Sequence, residues 1–165
     1  DAITRLHKPI NVTDFNRDLF GSTFLLDKKT NCPVNTQNTF YRNDILNIAF
    51  VSPFAGRYDD VICGYVINSI RRFHDYDISF GNPILFQKRN KHNLWSDLKL
   101  ELNGNENIYR LISLMDDFNS PGNSLLETYN KLCRSTLPEL DFAGEYLKTI
   151  FNGMIIWSED VGSKI

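Results

Sequence analysis

Apolar residues recur three and four apart in "DDVICGYVINSIRRF", where Val61, Ile62, Tyr65, Val66 and Ile70 share one face and predict a helix. Asp59 or Asp60 can cap its first amides, and Arg71 and Arg72 suit the negative end of its dipole. Upstream, "STFLL" (Ser22 to Leu26) predicts a strand, and the polar turn "DKKTNCP" follows it. "NTFYRNDIL" passes from extended to helical near Asp44, and "SPFAGR" is a loop that delivers the chain to the helix. Beyond the helix, "ISFGNPILFQ" reads as a short strand, a Gly-Asn-Pro interruption and a second extended piece. In "KRNKHNLWSDLKLEL", Leu94, Leu98 and Leu102 align on one helical face. "NENIYRLISLMDDF", "SLLETYNKLCRS" and "LPELDFAGEYLKTIFNGMIIW" predict three further helices, with "NSPGN" and "TLP" as breaks. The pattern divides the chain into a mixed α/β portion over 1–102 and a helical tail over 103–165.

The 165 residues, 42% of them apolar, suffice for one core. With 18 basic against 20 acidic residues and a net charge of -2, the chain as a whole has no attraction to nucleic acid or to an anionic membrane. No apolar run approaches the ~20 residues that cross a bilayer, and no signal-peptide pattern opens the sequence. Cys32, Cys63 and Cys133 are far apart and odd in number, so they read as free thiols that fill the core. Free thiols and the lack of a signal peptide favour the cytoplasm. The first residue is Asp, which suits a processed or truncated piece, and a missing leader would leave the Golgi lumen open. Asn11-Val12-Thr13 would accept a glycan only in the secretory pathway.

Candidate chemistry centres on "GRYDD". One acid at a helix start is accounted for by capping and the dipole. The second can project into a cleft as a general base, held rigid by the helix. The helix terminus lowers its basicity and the neighbouring carboxylate raises it. Arg57 beside the pair is a candidate substrate contact. Lys88, Arg89 and Lys91 form a basic cluster able to neutralise a diphosphate. Gln37, Asn38 and Arg42 are candidate contacts for sugar hydroxyls or phosphate, because amides both donate and accept. His7 and His74 have no evident partners, and Trp95 and Trp157 read as core residues within apolar helical stretches.

"GRYDDVICGYVINSI", followed by "ISFGNPILFQKRNKHNLWSDLKLE" and preceded by "PVNTQNTFYRND", resembles the latter half of GT-A glycosyltransferases. It most resembles the group containing plant reversibly glycosylated polypeptides (UDP-arabinopyranose mutases) and STELLO-type proteins. The likeness runs from Asp1 to Glu101 and implies an α/β fold, a GT-A-like mixed sheet followed by the helical tail. It further implies transfer of a sugar from a nucleotide-sugar donor, UDP-linked in this group, to an acceptor hydroxyl, with Mn²⁺ or Mg²⁺ bridging the donor's phosphates. Asp60 would be the base and Asp59 its orienter. Asp1 would be the last acid of a metal motif, so that the chain begins without the nucleotide-binding half. His92 would be a second metal ligand, although Gln87 aligns nearly as well. Nucleotide-sugar mutase chemistry is an alternative within the same group. A non-catalytic scaffold that binds a protein partner through its helical tail is the alternative outside it. A glycoside hydrolase fits less well, because adjacent acids do not flank one bond at the ~5–9.5 Å that such enzymes need.

Overall fold

Helices hold 64% of the described residues and strands 3%, so a helical fold replaces the expected α/β, GT-A-like mixed sheet. The structure is a computed structural model that describes residues 23–34, 36, 38–81 and 93–164. Its two strands, β1 (Phe24–Leu25) and β2 (Ser79–Phe80), form one antiparallel pair in which Phe24 faces Phe80 and Leu25 faces Ser79. The rings of Phe24 and Phe80 stack across the pair at 5.3 Å. Phe24 and Leu25 are exposed. A pair this short with an open face builds no core, which the helices supply instead.

The helices are α1 (Asn43–Leu46), α2 (Asp59–Arg71), α3 (Leu94–Asp117), α4 (Leu125–Thr136) and α5 (Gly144–Gly162), with 3₁₀ turns at Gly56–Tyr58 and Leu137–Ala143. Helix α2 buries Ile62, Val66 and Ile70, as its spacing predicts, and packs on α3 and α4, while α4 packs on α5. Its cap is not an acid: Tyr58 holds the N-cap position without a side-chain bond, and Asp59 and Asp60 fall in the first turn. Asn93 caps α3 through bonds from the Trp95 and Ser96 amides. Ser124 caps α4 by accepting from the Glu127 amide at 3.2 Å, while Glu127 reaches back to the Asn123 amide at 2.7 Å. The Arg72 guanidinium closes the other end of α3, donating to the carbonyls of Met115 and Phe118 at 2.6 Å.

Helix α3 departs from expectation in two ways. It runs unbroken across 102 and 103, through "NGN". Those residues hold the 3₁₀ turn in place: the Tyr58 hydroxyl donates to Asn105 Oδ1 at 3.0 Å, and a Cβ on Gly104 would lie 2.2 Å from Tyr58 Cγ. Its inner face is also not the Leu94–Leu98–Leu102 face but Asp97, Glu101, Gly104, Ile108, Leu111 and Met115. Arg57 turns the helix this way by pairing with Asp97 at 3.4 Å and Glu101 at 3.1 Å. Trp95, expected in the core, is 66% exposed. Trp157 is half-buried, its indole N–H donating to the Asn47 carbonyl at 2.9 Å. Cys63 and Cys133 are buried free thiols, as expected, and Cys32 is partly exposed.

Two side chains in this frame carry a stability prediction. Tyr129 is fully buried and its hydroxyl has no hydrogen-bond partner among the described residues. Tyr129→Phe removes an unsatisfied polar atom and is expected to stabilise by about 1 kcal/mol, seen as a rise in melting temperature of about 2–4 °C. His74, just past α2, meets Thr128 of α4 through its Nε2 atom at 2.7 Å. Burial lowers its pKa from the ordinary 6.5. Below that value the unfolded chain binds a proton that the folded one resists, so stability falls as pH drops through 6.5 and levels off below the folded pKa. Melting temperatures of wild type and His74→Gln across pH 5 to 8 check this: the two curves converge on the acid side, because only the wild type loses this contribution.

Candidate functional site

The sheet stands off α2 on three anchors. Arg71 is fully buried and donates to the carbonyls of Leu26, at 2.8 Å, and Asp27. Asn68 donates to the Thr30 carbonyl at 2.9 Å, and the Tyr76 hydroxyl donates to the Ile67 carbonyl at 2.5 Å. Residues 32–34 then cross α2 directly over Gly64, where a Cβ would lie 2.4 Å from the Val34 nitrogen.

A cavity of about 640 Å³ opens beside this sheet. One wall is residues 76–81, including β2, and the other is residues 38–42, with Ile45, Ile67 and Val34 beneath. Of its two charged residues, Arg42 is closely paired. Arg42 holds Asp44 through two bonds at 2.6 and 2.7 Å, which keeps the Asp44 carboxyl below its usual range. Arg42 also donates to the Asp75 carbonyl at 3.1 Å and lies over the Tyr76 ring. Asp77 faces Lys28 at 4.0 Å. Burial raises the Tyr76 hydroxyl far above its ordinary pKa, so the phenol stays neutral. What remains for a ligand is the apolar surface of Phe40, Tyr41, Ile67, Ile78 and Phe80 beside the polar Asn38, Thr39 and Ser79, and no backbone hydrogen bond joins the described residues of the two walls. A second cavity, of about 470 Å³, lies on the other side of the turn and is lined by Lys28, Lys29, Asn31, Asn68, Ser69, Arg72 and Asp116.

The expected site residues are distributed unevenly over this frame. Asn38 and Arg42 do stand together on the wall of the larger cavity. Asp59 and Asp60 line neither cavity. Asp59 Oδ1 accepts from the Asp60 amide at 2.8 Å, and the Asp60 carboxylate makes no hydrogen bond or ion pair with a described residue. Their charges bear on the residues behind them: burial, reinforced by Asp60 and Asp59, pushes the Cys63 thiol up to about 12. Cys63 is therefore no nucleophile. Arg57 belongs to the ion pairs with Asp97 and Glu101 and lines neither of these two cavities. Asp1, Gln37, Lys88, Arg89 and His92 lie outside the described residues, and so does any metal site built on Asp1 and His92. Among the described residues no cluster of His, Cys, Asp and Glu could hold a cation, and no helix is long and apolar enough to cross a membrane.

Sequence reasoning missed Tyr76, Ile78 and Phe80 as a cavity wall. The alternation of Tyr76, Ile78 and Phe80 with polar residues was the available signal. No family model matches the chain, and neither a curated protein nor a solved structure does.

Proposed function

We propose that the chain is a non-catalytic interaction module whose ligand is an extended apolar peptide laid in the larger cavity along the edge of β2 that no described residue pairs. One observation carries this reading: aromatic and aliphatic side chains form much of the cavity lining, Arg42 on its rim is already paired with Asp44, and no backbone hydrogen bond joins the described residues of its two walls. A peptide strand between them gains main-chain bonds from the edge and pockets for alternate side chains. A helical fold stands where glycosyl transfer calls for an α/β sheet, and Asp59 and Asp60 stand outside both cavities.

The test is selection of short random peptides on the full chain, followed by calorimetric titration of the selected peptide. Alternating apolar sequences are expected, with affinity reduced at least tenfold by Ile78→Glu and by a proline at the centre of the peptide, which removes an edge-bonding N–H. Peptides that bind Ile78→Glu as well as wild type would remove the cavity from the function. Mn²⁺-dependent binding of a UDP-sugar, with turnover abolished by Asp60→Asn, would favour transfer instead.

A further inference from the structure

The inner face of α3 is explained by the core, but its outer face is not. Trp95, Leu102 and Tyr109 are 66%, 45% and 83% exposed. They lie seven residues apart, so they form one stripe on the side of the helix away from Gly104, Ile108 and Leu111. Large aromatic side chains left in water on one stripe mark a contact surface, since Trp and Tyr are enriched at the centres of interfaces.

The charges on the stripe say what covers it. Lys99 and Glu106 alternate with the apolar residues, giving the order Trp95, Lys99, Leu102, Glu106, Tyr109 along the face. Both are exposed, and neither has an ion-pair partner among the described residues. The order is mirrored about Leu102, with an aromatic ring about 10 Å away along the axis on either side and with Lys99 three residues before it and Glu106 four after, about 1.5 Å out of register. The signs of the two charges are opposite. A second α3 laid antiparallel, with a two-fold axis at Leu102, therefore sets Trp95 against the copy's Tyr109, Leu102 against Leu102, and Lys99 against Glu106, twice over. A parallel copy would instead bring Lys99 to Lys99 and Glu106 to Glu106.

We infer that two copies of this chain pair antiparallel through the outer face of α3, in a closed isologous contact that leaves the peptide cavity of each copy open. This inference does not depend on the peptide-binding reading, because no α3 residue lines that cavity.

Sedimentation velocity on the full chain over a concentration series tests it. The wild type is expected to show a reversible dimer. Leu102→Glu sets two carboxylates against each other at the axis and is expected to weaken the dimer more than tenfold. Lys99→Glu and Glu106→Lys each break two pairs and create two repulsions, for a loss of about tenfold. The double charge reversal restores both pairs and wild-type affinity. All of these positions are exposed, and circular dichroism confirms that the variants stay folded. Leu102→Cys in a Cys32→Ser background is expected to form a disulfide-linked dimer on mild oxidation, and Ser113→Cys is not. A chain that is monomeric throughout, a dimer indifferent to Leu102→Glu, or a double reversal no better than its single parents would overturn the pairing.

Discussion

Gly64→Ala is expected to destabilise the protein by about 2 kcal/mol, although alanine favours a helix more than glycine does. The added methyl would lie 2.4 Å from the Val34 nitrogen and 2.7 Å from its carbonyl oxygen, and both are backbone atoms. They cannot swing aside as a side chain does. Pro33 fixes φ within residues 32–34, and the Thr30 carbonyl bound by Asn68 tethers the chain just before them. Overpacking of this kind costs about 1–3 kcal/mol, sometimes more, against a helix-propensity gain of about 1 kcal/mol. Gly153→Ala is the control. There the nearest atoms are the edge of the Phe50 ring at 3.2 Å, a side chain that can tilt, so the helical gain of α5 is expected to win. Denaturant unfolding should rank Gly153→Ala above wild type and wild type above Gly64→Ala. Because Val34 is part of the cavity, Gly64→Ala also weakens the selected peptide; equal stability of the two variants would mean that residues 32–34 do not press on α2.

The contrast between α2 and α3 shows which features a sequence displays. Helix α2 is legible because its buried residues are apolar and its spacing alone identifies the inner face. Helix α3 hides its inner face, since two of the residues on it are acids. Asp97 and Glu101 point inward, where Arg57, some forty positions earlier, meets them. A tertiary ion pair cancels their polarity, and local periodicity carries no record of it. The same blindness explains the helix that runs across 102 and 103, where a division was expected and where Tyr58 docks on "NGN". The sheet fails for another reason. "STFLL" and "ISF" have strand character, but a strand is completed by its neighbours, and here each has two paired residues and a single partner. Of the candidate site, Asn38 and Arg42 reach a cavity because a polar turn beside aromatic residues makes a rim in many folds. The adjacent acids at 59 and 60 look reactive as a motif, whereas their position in the first turn of α2 has a structural account in the helix dipole.

Arg71 offers the sharpest separation between the helical core and the sheet that forms the cavity wall. Its guanidinium is fully buried, has no carboxylate within ion-pair distance among the described residues, and leaves its Nε atom without a partner. Burying a cation this way costs several kcal/mol. Two charge-assisted bonds to the Leu26 and Asp27 carbonyls, at about 1.5–3 kcal/mol each, offset most of that. Arg71→Met keeps the packing of the aliphatic stem while removing both the penalty and the bonds. Its global stability is expected to stay within about 1 kcal/mol of wild type. Arg71→Ala loses the packing as well and is expected to cost about 3 kcal/mol. The methionine variant nonetheless frees the sheet from α2. Hydrogen exchange at the Leu26 amide, which donates to the Ile78 carbonyl at 2.8 Å, should accelerate, and the selected peptide should be lost while circular dichroism and the melting temperature hold. Arg71→Met that unfolds the chain as fully as Arg71→Ala would place the guanidinium in the core's own stability. Arg71→Met that binds the peptide normally would show that the cavity wall needs no tether to α2.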